Sequence, residues 1–314
     1  MSNNGKVKQH IPKELRYSVR NFHAEFPNDD ACLESLKESR WPNGMAMCAK
    51  CGVERKHHRV GNRPAYACDY CGSMISPMAG TIFEHSSTPL KLWFYAMYLM
   101  GSTRCGISAK QIQRETGVTY KTAWRMFRQI RSVLSDGDLQ LEGSTVEMDE
   151  TYYGGVRKWQ HGRPGRGDKK KSPIVAIVQR QGKVVARAVP DVSGKRLRRM
   201  INKHVVPGTT IYTDEYFAYH KIPEMRDKHG NAAHYKHFTV KHSAKEYVRD
   251  GHIHTNSVEG FWSLIKRGIG GVYHSVSQRH LQIYLDEYSF RCNRRHDGNL
   301  QFKAILRCAS QPLS

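Results

Sequence analysis

Hydrophobic and polar positions change period along the chain, and the changes mark its organisation. From Pro89 to about Leu134 apolar residues recur at helical spacing. From Ser144 the pattern shortens to strand-like runs rich in Val and Ile, at Ser144–Met148, Ile174–Arg180 and Lys183–Val189. Gln181–Gly182 supplies a hairpin turn between the last two. A basic helix is predicted over Ser193–His204, broken by Pro207–Gly208, with a further strand at Thr209–Thr213. Helical periodicity returns from Asn256 to about Arg295. Near the start, Asp29 or Asp30 can cap a short helix through Leu33 and Leu36 that ends before Pro42. The expectation is an α/β protein with four segments: a helix and metal-type segment at 1–88, a helical segment at 89–137, an α/β domain at 138–300 and a tail at 301–314.

Two helices in the second segment are well punctuated. Ser108-Ala-Lys-Gln111 resembles a capping box, and the helix it opens stops at Gly117. Thr119 then caps a second helix, whose apolar stripe is Ala123, Phe127, Ile130 and Leu134. Tyr120, Lys121, Arg125 and Arg128 lie off that stripe. A short glycine-containing turn between two such helices fits helix-turn-helix geometry, with those four residues free to meet DNA. An ordinary helical hairpin fits the same pattern.

Charge favours the DNA reading. The 314 residues carry 50 Lys and Arg against 28 Asp and Glu, a formal net charge of +22. Such an excess suits a polyanion, because neutralised phosphates release condensed counterions. With 39% hydrophobic residues the chain can still bury a core. The segment Arg157–Lys171 holds seven Lys or Arg, one Asp and four Gly or Pro. It reads as a mobile loop, with Arg163, Arg166, Lys169, Lys170 and Lys171 available to phosphates. The first residues, Met1–Arg16, are polar and basic, and the longest apolar run, Leu92–Met100, is too short for a bilayer. A soluble, cytoplasmic, nucleoid-associated protein without membrane contact is expected.

The cysteines point to metal. Cys48-Ala-Lys-Cys51 and Cys68-Asp-Tyr-Cys71 are separated by sixteen residues, and Gly52 and Gly72 follow the two pairs. Two such knuckles place four thiolates around one tetrahedral ion, for which Zn²⁺ is suited. A closed four-thiolate site has no open position, so the expected role is structural. Cys32, Cys105, Cys292 and Cys308 lack partner spacing.

A second chemistry is suggested by acids at strand ends. Asp149 follows Val146-Glu-Met, and Asp214 follows Thr210-Ile-Tyr-Thr213. Acids at the ends of neighbouring strands sit at the rim of a sheet and can share a divalent cation, Mg²⁺ or Mn²⁺. Glu150 and Glu215 adjoin them but should face the opposite way. In the helix beginning near Asn256, the residues Val258, Phe261, Trp262 and Ile265 form a buried stripe. Glu259 and Lys266 lie on a polar face, about two turns apart. Glu259 is the expected third ligand, and Lys266, with Arg267 beside it, the expected contact to substrate phosphate. Two solvated charges on an amphipathic helix are the simpler reading of that helix alone. Carboxylate-held metal pairs activate a water or 3′-hydroxyl oxygen and stabilise the leaving oxygen in phosphodiester chemistry. Glu287 reads as an ion pair with Arg291 at i+4.

Together these motifs resemble those of the ISXO-like insertion-sequence transposases, along nearly the whole chain. Arg40-Trp41-Pro42 before Cys48-x-x-Cys51 resembles the start of the family's zinc ribbon. Gly80-Thr-Ile-Phe83 and Pro89-Leu-Lys-Leu-Trp93 resemble its link to the helical region. Asp149-Glu-Thr-Tyr-Tyr-Gly-Gly155, Thr213-Asp214-Glu215 and His254-Thr-Asn-Ser-Val-Glu259-Gly-Phe-Trp262 with Lys266-Arg267 resemble its three acidic segments. Tyr273-His274, Tyr284-Leu-Asp-Glu287 and Asn293-Arg294-Arg295 resemble its closing helix. The resemblance implies an RNase H-like mixed sheet with flanking helices, Mg²⁺ dependence, binding of double-stranded DNA at terminal inverted repeats and a homo-oligomer on paired ends. Some members are described with Asn as the third metal residue, which brings Asn256 into view beside Glu259. A zinc-bearing DNA-binding regulator, or a nuclease that cuts without joining, remains the competing class.

Overall fold

The computed structural model describes residues 12–313 apart from 62, 144, 155–158, 161–162, 165–170, 241–247 and 250–252. Two compact units emerge, one from residues 1–133 with 294–314 and one from 134–293. Among the described residues no helix is long and apolar enough to cross a membrane.

The first unit opens with α1 (Val19–Glu25) and α2 (Asp29–Arg40). Ser18 and Asn21 form a reciprocal capping box on α1. Asn28, rather than Asp29 or Asp30, caps α2, its Oδ1 accepting from the Ala31 amide at 3.0 Å. The two aspartates fall instead in the first turn, where they favour the helix dipole. Four short antiparallel strands follow in the order β1 (Met45–Met47), β2 (Glu54–Arg59), β3 (Tyr66–Cys68) and β4 (Met74–Ile75). Then come α3 (Leu90–Ser102), α4 (Ala109–Thr116) and α5 (Tyr120–Ser132).

The helical pair forms as its punctuation predicts. Ser108 Oγ accepts from the Gln111 amide, and Gly117 ends α4 at φ +71°. Gln111's own side chain donates to Glu115 at 2.7 Å, so only half of the expected capping box is present. Thr119 caps α5, and Ala123, Phe127, Ile130 and Leu134 are all buried. Residues 301–314 correct the expectation of a tail. Gln301–Ala309 is a helix belonging to the first unit, with Phe302 fully buried among Tyr17, Phe22, Phe26 and Tyr98. Burying a phenylalanine contributes about 1.5–3 kcal/mol, enough to hold a short helix that has no side-chain cap.

The second unit is built on a five-stranded mixed sheet. Its strands are β5 (Thr145–Tyr153), β8 (Ser172–Gln179), β9 (Val184–Ala188), β10 (Thr210–Thr213) and β11 (Lys236–Thr239), in the order β11-β10-β5-β8-β9. β5, β8 and β9 form an antiparallel meander, whereas β10 and β11 run parallel to β5. Residues of the basic insertion contribute a small ladder, β6 (Trp159–Gln160) against β7 (Arg163–Pro164). Most of that insertion, including Arg166, Lys169 and Lys170, lies outside the described residues.

Helices cover both faces of the sheet. On one face α6 (Gly194–His204) packs Leu197, Met200 and Ile201 against Val146, Met148, Val175 and Ile177. On the other, α7 (Asn256–Gly268) and α8 (Leu281–Asn293) pack Val258, Phe261, Trp262, Ile265, Leu285 and Tyr288 against Ile174, Ala176, Val178 and Ala186. Covering on both faces explains why β8 reads as an unbroken apolar run instead of alternating. Gly268 lets α7 approach α8, since a Cβ there would overlap the Tyr288 hydroxyl. Along β5 the side chains alternate: Val146, Met148 and Glu150 face α6, and Glu147 and Asp149 face α7.

Candidate functional site

Asp149 does not end its strand, as the sequence suggests. β5 continues through Tyr153, paired with β8 to Ser172. The rim arises from its other neighbour. Pairing of β10 with β5 stops at Tyr212 opposite Glu147, and β10 itself ends at Thr213. Continuing that parallel register brings Asp214 abreast of Asp149. Asp149 therefore stands mid-strand, beside the point where β10 ends.

The third candidate acid, Glu259, lies on α7. Val258, Phe261, Trp262 and Ile265 are buried as their spacing predicts, and Glu259, Ser263, Lys266 and Arg267 are exposed. Asn256, the first residue of the helix, is also exposed. Trp262 does more than pack: its indole N–H donates to Asp149 Oδ2 at 2.8 Å. Asp214 Oδ1 accepts from the Tyr216 amide at 3.0 Å, and Glu259 Oε1 lies 3.5 Å from the Thr255 hydroxyl.

Burial and neighbouring charge act together on Asp149 and Glu150. Burial pushes the Asp149 carboxyl up to about 6, the Trp262 hydrogen bond partly offsets this, and the Asp214 and Glu259 carboxylates raise it further. Glu150, on the opposite face, is pushed up to about 7, first by burial and then by Asp214 and Asp149, against the hydrogen bond it accepts from the Tyr219 hydroxyl at 2.5 Å. The expected orientation of Glu150 is correct, but it is not remote from the acids. Glu215 is exposed.

A raised carboxyl pKa in the folded state has a definite sign. The folded chain holds the Glu150 proton more tightly than the unfolded chain, whose ordinary value is 4.5. The associated stability is present below that value and is lost as pH rises through about 7. In metal-free buffer the melting temperature should therefore fall by several degrees between about pH 5 and about pH 8. Glu150→Gln should flatten the decline, and an unchanged slope would argue against the assigned burial.

The four cysteines of the first unit meet more tightly. Their sulfur atoms all lie within 4.8 Å of one another. Cys48 Sγ is 3.5 Å from Cys71 Sγ, and Cys51 Sγ is 3.9 Å from Cys68 Sγ. A tetrahedron with Zn–S bonds of about 2.3 Å has edges of about 3.8 Å, so the cluster is the right size for zinc. Gly52 and Gly72, at φ +69° and +71°, make equivalent turns whose amides return to the Cys48 and Cys68 carbonyls. The Cys51 amide donates to Cys48 Sγ and is the largest of several causes that lower that thiol's pKa, whereas the neighbouring thiols and burial raise that of Cys51. Among the described residues this is the single group of three or more such ligands that closes to 4.8 Å. The three carboxylates are thus more open than the thiols.

Residues 27–74 match the transposase zinc-ribbon domain, and residues 140–293 match the ISXO2-like transposase domain. The chain belongs to the ISXO2-like transposases. Among its relatives is a Halobacterium salinarum protein described as an uncharacterized protein in transposable element ISH50. It is 29% identical over 303 residues, spanning 90% of this chain and 98% of the relative. An uncharacterized transposase-like protein of Haemophilus influenzae is 26% identical over 111 residues, spanning 35% of this chain and 81% of the relative.

Within this transposase the candidate DNA contacts divide. Tyr120, Lys121 and Arg128 are exposed on α5, with Lys110 Nζ 4.7 Å from the Tyr120 ring centroid. Arg125 is not available in the same way. Its guanidinium donates to Ser86 Oγ at 3.4 Å and Thr88 Oγ1 at 3.1 Å and lies over the Trp93 ring, so it braces the loop before α3. Lys171 is half-buried, and Arg163 has only its backbone described. The expected Glu287–Arg291 pair forms, buried, at 2.7 Å.

Proposed function

We propose that this transposase cuts and joins DNA strands at the ends of its own element, using divalent cations held by Asp149, Asp214 and Glu259. What supports the reading is the placement of the three acids, with Asp214 abreast of Asp149 by strand register and Glu259 on the helix whose Trp262 bonds Asp149. The acids are 65 and 45 residues apart along the chain, yet Asp149 feels the charge of both others. A mixed sheet covered by helices on both faces, with acids on adjacent strands at its rim, supports an RNase H-like assignment.

Carboxylate oxygens are the hard donors that Mg²⁺ and Mn²⁺ prefer, and a dication would offset the burial and the lesser mutual repulsion that raise Asp149. A metal pair about 3.5–4 Å apart suits acids that stand further apart than the zinc thiolates. When bound, such ions would activate the attacking oxygen and stabilise the leaving one. The chain's own residues do the positioning. Trp262 fixes one oxygen of Asp149 and so limits rotation of that carboxyl group. Lys266, about two turns beyond Glu259 on the same helix, offers its ammonium to a substrate phosphate, with Arg267 beside it.

In the first step a water oxygen bonds to phosphorus, the P–O3′ bond breaks, and a 3′-hydroxyl and a 5′-phosphate result. In the second, that 3′-hydroxyl oxygen bonds to phosphorus of another strand and displaces its 3′-oxygen. Neither step needs a covalent enzyme intermediate. DNA is held by Tyr120, Lys121 and Arg128 on α5 and by the basic insertion, including Arg163, Arg166, Lys169, Lys170 and Lys171. Pairing of two ends calls for more than one copy of the chain. Cys48, Cys51, Cys68 and Cys71 would hold a structural Zn²⁺.

The test is incubation of the protein and Mg²⁺ with a donor plasmid carrying the element ends and a target plasmid. Joined donor–target molecules are expected. Specific end binding without nicking would favour a regulator, and nicking without joining would favour a nuclease.

A further inference from the structure

Two residues before Asp149, and on the same face of β5, lies an acid that the chemistry above does not use. Glu147 is 0% exposed. Its Oε1 accepts from Arg180 Nε at 2.8 Å and from the Ser257 hydroxyl at 3.0 Å, with His254 Nδ1 at 3.3 Å. Its Oε2 accepts from the backbone amides of Ser257 at 2.7 Å and Val258 at 3.1 Å.

Those two amides belong to the first turn of α7, where backbone donors have no partner within the helix. The residue at the ordinary capping position, Thr255, makes no side-chain cap bond. Glu147 supplies the cap from the sheet instead, and its negative charge suits the positive end of the helix dipole. Arg180, just beyond β8, also donates to the His254 carbonyl at 2.9 Å and lies over the Tyr212 ring of β10. One carboxylate thereby ties β5 to α7 directly and, through Arg180, to β8 and β10.

A buried charge is a costly way to fill space, and an apolar side chain of similar volume often serves stability as well. What the carboxylate adds is direction. Hydrogen bonds to two successive amides fix where α7 begins and how it is rotated. Glu259 is the next residue after Val258, and Asp149 is two residues after Glu147. The path between the two proposed metal ligands through this brace is therefore very short. We propose that Glu147 is a positioning residue that sets the separation of Asp149 and Glu259, and so the divalent-cation affinity of the site. The inference rests on the metal-site reading given above.

The test is Mn²⁺ titration of the full chain, following free Mn²⁺ by electron paramagnetic resonance, with melting temperatures measured alongside. Asp149→Asn should weaken binding at least tenfold. Glu147→Gln should also weaken it, by about tenfold, in the wild-type background. In a Glu259→Gln background the Glu147→Gln effect should shrink below about twofold, because its influence passes through Glu259. Ser257→Ala, which removes one donor and leaves the helix intact, should show the same dependence on a smaller scale even where Glu147 variants fold poorly. Equal weakening in both backgrounds, or a lowered melting temperature with unchanged Mn²⁺ affinity, overturns the positioning role. If Asp149→Asn itself leaves Mn²⁺ binding unchanged, the metal-site reading fails and this inference falls with it.

Discussion

Asp149→Asn should leave the protein folded and able to bind element ends but reduce strand cleavage by roughly three orders of magnitude or more. The substitution keeps the shape of the side chain and its capacity to accept from Trp262, and removes the charge that a dication requires. Removing that charge also relieves a costly burial, since Asp149 is already pushed up to about 6. The melting temperature of the metal-free variant should accordingly be equal to or above that of the wild type. This pairing of outcomes separates a catalytic loss from a folding loss. Cleavage is read on a plasmid carrying the ends, and binding on a labelled duplex of the same ends. Cleavage at the wild-type rate would remove Asp149 from the site.

Zinc removal should have an effect of similar size on the first unit. The ribbon strands are two to six residues long, and their buried apolar residues are few: Ala46, Tyr66 and the cysteines Cys48 and Cys68 themselves. So small a core cannot offset the entropy of ordering the segment, which is about 1–2 kcal/mol per residue for backbone alone. Four-thiolate zinc binding contributes on the order of 10 kcal/mol at neutral pH. Chelation, or Cys68→Ser, should therefore unfold residues 45–75, seen as loss of amide-exchange protection in that segment. The second unit has its own core and should keep its protection. One equivalent of zinc per chain is expected by elemental analysis. Protection that survives complete zinc loss would show that the ribbon folds without metal.

Much of this architecture is written in local patterns. The stripe Val258, Phe261, Trp262 and Ile265 faces the sheet as spacing requires, and the turn at Gln181–Gly182 joins β8 to β9. The cysteine knuckles are legible because metal ligation needs only spacing and a glycine turn. What escapes a linear reading depends on neighbours. Lys236–Thr239 carries lysine, histidine and threonine around a single aromatic, and it becomes a strand because β10 offers it a parallel edge. Asp149 becomes a rim residue through the ending of β10, which the sequence around Asp149 does not encode. Arg125 sits off the apolar stripe of α5, yet Ser86 and Thr88 approach it from a distant loop.

Two further features were within reach of the sequence. The spacing of Phe302, Ile305, Leu306 and Ala309 is that of a buried helix face, which a tail assignment overlooks. Strand parity places Glu147 on the face of Asp149, so a second acid beside the site follows once β5 is known. Its bonds to Ser257 and Val258 do not, because they cross 110 and 111 residues of chain.

The most direct measurement of the metal-site account is the location of Mn²⁺ by anomalous scattering in crystals of the protein bound to element-end DNA. Peaks are expected among the carboxylates of Asp149, Asp214 and Glu259, and none of them in crystals of Asp149→Asn. Peaks held elsewhere, or carboxylates too far apart to share ions even on DNA, would contradict it.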